Sequence, residues 1–456
     1  MSNWAEQELA SSNIGDKRLD TRYKKILNAI YAKIGNSFPT IFEKSSELIA
    51  TYRFLSNKKI DYQTLLAPHM LRTKERISED DVILCVQDTS SFDFTSKRSS
   101  EDMGHLEHWK RRGLLLHLTL AISPNRVNKG IIASKVWTRD IKTMGKRHYR
   151  KELPIEAKES YRWIESYQQV QALAKTMPDK QFICIGDREN DIYEAFLANA
   201  ESEEENIDIL IRSRHNRRLS EEFGGKKMLE TIKKTKALGK VEISIPSRAG
   251  RKKRKAILEV RTQKIILKGL SRQDRQLPEV ELTMIQAKEK SKNQKKSKIE
   301  WNLLTSIEAN DLSSCIKIID YYRSRWEIEI FFKILKSGSK IETLHLEKFD
   351  RLQRALAIYL IMSWRIHYIM MLSREYPKIL AKEVFDEMEI KIIYIMRGKK
   401  LPKRPPRLGV VAQLLAETGG YLARKNDPPP GPKAFWQGFK ELIRSAFIFY
   451  KLQTYV

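Results

Sequence analysis

Two short apolar runs, far apart in the chain, constrain what it can fold into more than any other feature. The first lies in DVILCVQDTSSFDFT and the second in DKQFICIGDRENDIYEAFLANA. Each is rich in branched residues, lacks a polar face, and carries a cysteine three residues before an aspartate. A run of that kind suits a strand covered on both sides, in the middle of a sheet flanked by helices. Cys85 and Asp88 therefore correspond to Cys184 and Asp187. The first strand is expected to stop at Asp88. The second is expected to end at Asp187 and to pass into an amphipathic helix. Open α/β sheets place their sites in the crevice beyond the C-terminal strand ends, which nominates both aspartates.

Around these strands the pattern is helix, sheet, helix. The N-terminal seventy or so residues read as helices, through LDTRYKKILNAIYAKIG, ended by Gly35, and SELIATYRFLSN. Lys17, Arg18, Arg22, Lys24 and Lys25 near the start of the first read most simply as a solvated face. LLLHLTLAIS (Leu114 to Ser123) and KGIIASKVWT (Lys129 to Thr138) suit a hairpin across a Pro-Asn turn. After GKKLPKRPPRLG and NDPPPGP, the last helix, KAFWQGFKELIRSAFIFYKL, carries enough aromatic surface to pack on the core or on a second copy.

Charge narrows the partner. Lysine and arginine outnumber aspartate and glutamate by 85 to 57, a formal charge of +28, so the partner is densely negative: nucleic acid first, a membrane surface second. Between Ile211 and Glu300 stand 27 Lys/Arg against 10 Asp/Glu, more than half of that excess. VEISIPS, AILEVRTQKIIL and VELTMIQA read there as an antiparallel β unit, joined by the loose basic loops RAGRKKRK and KEKSKNQKKSK. Such a surface gives affinity for phosphates without sequence choice. The apolar segment Leu356 to Leu372 is interrupted by Arg365 and His367, so it reads as a buried helix and not a bilayer span. Cys85, Cys184 and Cys315 sit in apolar runs, which excludes a disulfide framework and a zinc site and suits a reducing compartment. MSNWAEQEL lacks a signal-peptide pattern. The expected location is cytoplasmic, without membrane.

The stretch YYRSRWEIEIFFKILKSG, taken as one helix, separates into two faces. Tyr322, Arg325, Trp326, Glu329, Lys333 and Lys336 share one; Ile328, Phe331, Ile334 and Leu335 form a buried stripe on the other. Glu327 points away from the basic group, which makes Glu329 the functional carboxylate. A kink near Trp326 would rotate Tyr322. The plainer alternative is that Glu329 only pairs with Lys333 and Lys336 on an exposed face, for a few tenths of a kcal/mol. Two strand-end aspartates and a helix glutamate, without histidine or cysteine, make an all-oxygen site suited to Mg²⁺ or Mn²⁺. Two such ions can activate an attacking oxygen and stabilise a leaving one at phosphorus.

These motifs resemble the DDE transposases of bacterial insertion sequences and composite transposons, in the cut-and-paste group signed by Tyr, two residues, Arg, three residues, Glu, six residues, Lys. Tyr322, Arg325, Glu329 and Lys336 meet that signature, VQDTSSF and GDRENDIYEAF match the acidic blocks, and NWAEQELASSNIGDKRLDTR, TYRFLSN, IRSRHNRR and EWNLLTS match the flanks. The resemblance implies an α/β fold: an RNase H-like mixed sheet flanked by helices, with an antiparallel β insertion and helical N- and C-terminal domains. It divides the chain into 1–70 for binding transposon ends, 71–365 for catalysis with an insertion at about 215–305, and 366–456 for dimerisation. Asp88, Asp187 and Glu329 would bind two Mg²⁺, with Mn²⁺ able to substitute. Tyr322, Arg325 and Lys336 would grip phosphates with Lys333 beside them, and Arg188, Arg212 and Arg214 would face DNA. Trp301 is either a core residue or a platform for a base displaced as a hairpin forms. Asp93, Glu189 and Asp191 lie close enough in sequence to replace the nominated aspartates as ligands. The implied partners are double-stranded DNA (terminal repeats and target) and a second copy in the synaptic complex; the implied place is the bacterial nucleoid. Competing readings are an RNase H-like nuclease or resolvase that cuts without joining, and a catalytically silent DNA-binding inhibitor.

Overall fold

The computed structural model describes residues 4–96, 102–108, 110–140, 153–245, 254–272, 275–290, 299–346 and 348–455, the last six of these by backbone alone. Five helices come first: α1 (Trp4–Glu8), α2 (Lys17–Ala32), α3 (Phe38–Ile41), α4 (Ser45–Leu55) and α5 (Tyr62–Ile77). Asp16 and Asp61 open α2 and α5 by accepting a backbone N–H that the first turn leaves without a partner. Arg22, Lys24 and Arg18 are engaged by Glu47, Glu6 and Asp16, so much of the basic N-terminal face is compensated within the chain.

The sheet follows. β1 (Val82–Asp93) is succeeded by β2 (Gly104–His105), β3 (Arg112–Ile122) and β4 (Asn128–Trp137). β3 runs antiparallel to β1, and its outer edge is shared by β2 and β4. The hairpin expected between β3 and β4 is present, with Arg126 at φ 66° in its turn. Gly130 has a φ of +147°, and a Cβ there would lie 1.9 Å from the Thr73 hydroxyl of α5, so helix and hairpin meet through a glycine. α6 (Tyr161–Lys175) leads to β5 (Gln181–Gly186), parallel to β1, and α7 (Tyr193–Ala200) to β6 (Ile207–Arg212), parallel to β5. The order β4-β3-β1-β5-β6, with β1, β5 and β6 parallel and β3 reversed, is the RNase H-like arrangement. β1 does not stop at Asp88 as expected. Only its pairing with β5 ends nearby, at Val86, while pairing with β3 carries the strand on to Asp93.

After α8 (Met228–Lys234) come β7 (Gly239–Ile245), β8 (Arg254–Leu267), β9 (Ser271–Arg272), β10 (Arg275–Gln276), β11 (Val280–Glu289) and β12 (Glu300–Thr305). The antiparallel unit is there, but it is no separate body. β12 pairs with β6, so β12, β11, β8 and β7 prolong the central sheet in one plane of hydrogen bonds. On these strands Lys255, Lys264, Arg254 and Lys290 meet Glu242, Glu281, Glu289 and Glu259. The strand surface is therefore less basic than its composition. The loops RAGRKKRK and KEKSKNQKKSK lie mostly outside the described residues.

Period-two alternation divides the sheet's apolar side chains between two cores. Ile83, Cys85, Cys184, Ile209 and Ile211 pack beneath α6, α7 and α8. Leu84, Val86, Ile185, Leu210 and Leu303 pack on the other side, with the N-terminal helices and with α9 (Leu312–Arg323), α10 (Trp326–Lys333) and α11 (Phe349–Glu375). α11 is apolar and long enough to cross a membrane, yet 89% of its most apolar window is buried inside the protein. Its Arg365 pairs with Glu389 at 3.2 Å and donates to the Tyr31 hydroxyl, a buried charge held by partners on both flanking helical groups. Glu389 belongs to α12 (Glu387–Met396), which is followed by α13 (Leu408–Thr418) and α14 (Pro432–Tyr455). Phe435, Phe439, Leu442 and Ile443 of α14 enter the core, whereas Ile448 is 54% exposed. The domain boundaries expected at 70/71 and 365/366 fall inside α5 and α11, two continuous helices, so neither marks a break in packing. All three cysteines are buried and free.

Candidate active site

The register of β1 against β5 sets Cys85 opposite Cys184. Three residues on, Asp88 and Asp187 therefore leave the parallel ladder at the same level on neighbouring strands. Asp88 alternates with Leu84 and Val86 and so faces the side where α10 packs. Each aspartate is fixed locally: Asp88 Oδ1 accepts the Thr89 N–H at 2.7 Å, and Asp187 Oδ1 accepts the Glu189 N–H at 2.7 Å.

The third carboxylate comes from the helical stretch, which is not one helix. α9 ends at Arg323, Ser324 and Arg325 make the joint, α10 begins at Trp326, and a π-helical turn runs from Ile334 to Gly338. Short breaks of this type recur at functional sites. Ile328, Phe331, Ile334 and Leu335 are fully buried, as the two-faced pattern requires. Glu329 pairs with Arg325 across one turn, and not with Lys333 or Lys336. The Arg325 guanidinium also reaches Asp88 Oδ2 at 3.4 Å, so one cation stands between two of the three carboxylates. Asp88 is held well above the usual carboxylate range, at about 7, first by burial and then by the charges of Asp187 and Glu329; Arg325 and the Thr89 N–H pull the other way.

Tyr322 and Trp301 meet edge to face with ring centroids 5.7 Å apart. Arg212 lies beside the Tyr322 hydroxyl and donates to the Glu300 carbonyl at 3.1 Å, with its buried Nε left without a partner. Lys336 is turned back to β1: Nζ donates to the Ser91 carbonyl at 2.5 Å and sits 4.9 Å from the centre of the Phe92 ring. Lys333, Arg188 and Arg214 are exposed.

The three substitute ligands are engaged elsewhere. Asp191, whose side chain is fully buried, accepts the N–H groups of Arg214 and His215 and pairs with Arg217 at 2.6 Å, so it shapes the loop after β6. Asp93 binds Arg111 and caps the turn at Thr95. Glu189 pairs with Arg162 at 2.9 Å. Glu327 is buried beside His367, 3.4 Å away, and so does structural work on the inward side of α10. Arg162 and Thr89 were not legible as site residues: the only hint was an arginine entering a helix beside Trp163, on the side that the apolar spacing turns inward.

The donor set tests well against a hard divalent ion, for it consists of carboxylate oxygens alone. Among the described residues no three such side chains close on a common point; the Arg325 guanidinium fills the gap between Asp88 and Glu329, in the place a cation would take.

An RNase H-like sheet carrying a carboxylate trio beside basic and aromatic side chains defines a polynucleotidyl transferase. Three family models match the chain: Transposase DNA-binding over residues 1–60, Transposase DDE domain over 164–365, and Transposase Tn5 dimerisation domain over 361–450. Together they span more than three quarters of it, and the chain belongs to the Tn5-like DDE transposases. It acts on DNA in transposition, depends on a divalent metal, and works as a homodimer. Asp187 and Glu329 lie within the matched DDE segment, whereas Asp88 precedes it. Among solved structures, the chain is similar to the piggyBac transposase synaptic complex with hairpin DNA, with a TM-score of 0.40 and 11% identity over 96% of this chain and 73% of that one.

Proposed function

We propose that Asp88, Asp187 and Glu329 are the metal ligands and catalytic carboxylates, and that the ions they hold are two Mg²⁺, with Mn²⁺ able to replace them. The observation that carries this reading is the β1–β5 register, which brings the two aspartates level, together with Arg325 linking Asp88 to Glu329. Bound there, the ions supply activation of the attacking oxygen and stabilisation of the leaving oxygen. The chain's own groups do the rest. Arg325 exchanges carboxylate for phosphate, Arg212 beside Tyr322 faces the DNA, and Lys336, Lys333, Arg188 and Arg214 line the approach. The cleft is acidic at its centre and cationic around it, so the sugar-phosphate backbone is held at the rim and its scissile phosphorus directed inward.

The reaction is cut and paste: hydrolysis at the transposon end, attack of the freed 3′-hydroxyl on the opposite strand to form a hairpin, reopening, and joining to target. Trp301, edge-on to Tyr322 at the wall of the site, receives the base displaced as the hairpin tightens. Residues 1–70 recognise the terminal repeat, 71–365 cut and join, 366–456 bring two copies together, and the work takes place at the nucleoid. Labelled DNA ending in the cognate repeat, incubated with protein, Mg²⁺ and a plasmid, tests this. Nicked, hairpin and joined products are expected. Cleavage without joining would establish a nuclease, and a gel shift without cleavage an inhibitor.

A further inference from the structure

Arg162 enters α6 far from both strand ends in sequence, yet its side chain, 11% exposed, lies between them. Its Nε donates to the Thr89 hydroxyl at 2.8 Å, its Nη2 to the Glu189 carboxylate at 2.9 Å, and its Nη1 to the Glu159 carbonyl at 2.9 Å. Thr89 and Glu189 are the two residues whose backbone N–H groups orient Asp88 and Asp187. One guanidinium thus holds both carboxylate-orienting residues, one within β1 and one in the loop after β5.

The mounting is rigid on every side. The Thr89 hydroxyl also contacts His117 Nδ1 at 2.8 Å. While it accepts from Arg162, the hydroxyl can meet that nitrogen as donor or as acceptor, so a neutral imidazole satisfies it in either tautomer. Burial keeps His117 well below its ordinary pKa, in agreement. The His117 ring stands edge-on to Trp163 at 4.5 Å, and the guanidinium lies 5.5 Å from the Trp163 ring and 5.8 Å from that of Trp137. A planar fork with five donors can tie two elements at once, which a lysine cannot. With Nε and both terminal nitrogens engaged and little surface open to solvent, Arg162 is poorly placed to bind a phosphate.

We propose that Arg162 is a positioning residue that ties β1 at Thr89, next to Asp88, to the loop after Asp187 and thereby sets the spacing of the two aspartates for metal. The inference rests on the assignment of those aspartates as ligands. Groups that orient metal ligands change affinity or activity by about 10- to 100-fold when removed.

Full-length Arg162→Met, Arg162→Lys and Glu189→Gln proteins test it by Mn²⁺ binding followed by electron paramagnetic resonance without DNA, by the Mg²⁺ requirement for nicking, by gel shift, and by thermal unfolding. Arg162→Met is expected to weaken Mn²⁺ binding and raise the Mg²⁺ requirement by about 10-fold or more while DNA affinity stays within about twofold. Arg162→Lys, which keeps charge but one tie, should recover part of the loss. Glu189→Gln, at the exposed end of the tie, should shift both metal readouts the same way and combine less than additively with Arg162→Met. If Arg162→Met fails to fold, Glu189→Gln and Arg162→Lys still decide the matter. Unchanged metal readouts in the folded variants would overturn the proposal and leave Arg162 a packing residue. Lost DNA affinity with a shallower salt dependence would also overturn it, making Arg162 a phosphate contact. Asp88→Asn separates this from the ligand assignment: normal nicking by Asp88→Asn would sink the assignment itself, whereas a dead Asp88→Asn beside a normal Arg162→Met would sink only the positioning role.

Discussion

Glu327 and Glu329 stand two positions apart, and the structure gives them opposite environments. Glu329 lies at the cleft with 35% of its side chain exposed and Arg325 as its partner. Glu327 is 4% exposed and faces His367. Replacing Glu329 with alanine is expected to remove cleavage by about three orders of magnitude or more, since metal-held charge stabilisation is worth several kcal/mol, while end binding in a gel shift persists. Normal joining by that variant would exclude Glu329 from the metal set. From the helix pattern alone, Glu327→Ala would be silent. Its burial predicts instead a loss of about 1–3 kcal/mol of stability, because truncation removes a buried side chain from α10 and takes the carboxylate from beside His367. Thermal unfolding would register this, with nicking per folded molecule retained.

Elements meet here through a few points where a wrong atom has nowhere to go. α5 crosses the β3–β4 hairpin at Gly130, whose positive φ and contact with Thr73 forbid a side chain. Gly130→Ala combines backbone strain with a clash and is expected to destabilise by on the order of 2 kcal/mol or more, read as a lower midpoint in denaturant at unchanged slope. The joint at Ser324 and Arg325 is a second such point, on the same side of the sheet. There α9 lays Tyr322 against Trp301, and α10 carries Glu329 to the Arg325 guanidinium that also reaches Asp88.

At the scale of the molecule, helical ends and catalytic sheet are tied by buried charge. Glu8 of α1 receives His69 Nδ1 at 2.5 Å and Arg76 Nη1 at 2.9 Å from α5; His69 Nε2 accepts the Ile131 N–H of β4, and Arg76 stacks on Trp364 of α11. Accepting at Nε2 requires His69 to be neutral, in line with burial lowering its pKa. Burial by itself would raise Glu8, but the hydrogen bond from His69 and the charge and hydrogen bonds of Arg76 bring it down to about 2. A depressed carboxylate stabilises the fold above its unfolded pKa and loses that contribution as pH falls through the folded one. Unfolding midpoints should therefore drop between about pH 4.5 and 2, and Glu8→Gln should flatten that limb. At the other end, α14 buries its first half and exposes Ile448 within the matched dimerisation segment. Ile448→Asp is expected to leave the monomer's melting temperature unchanged and to reduce paired-end complexes in sedimentation. Intact pairing would place the dimer contact elsewhere.

Much of this protein was written in local pattern. Unalternated apolar runs marked β1 and β5, since only a strand covered on both faces tolerates them, and the equal Cys-to-Asp spacing is the one the parallel register then realises. Helical spacing separated the buried stripe of α10 from Glu329, because a period of 3.6 holds over two turns whatever surrounds it. What local pattern could not reach was everything set by partners distant in sequence. It gave Glu329 two lysines where packing supplies Arg325, and left Asp191 a possible ligand where a turn of backbone N–H groups consumes it. It also read the basic insertion as antiparallel without reaching where it joins, which is the open edge that β12 finds on β6. The sequence by itself determined which segments are strands and helices and which carboxylates are candidates for the chemistry. Tertiary structure alone decided which cation each carboxylate meets, because unscreened charges in a buried cleft answer to distance in space and not to spacing along the chain.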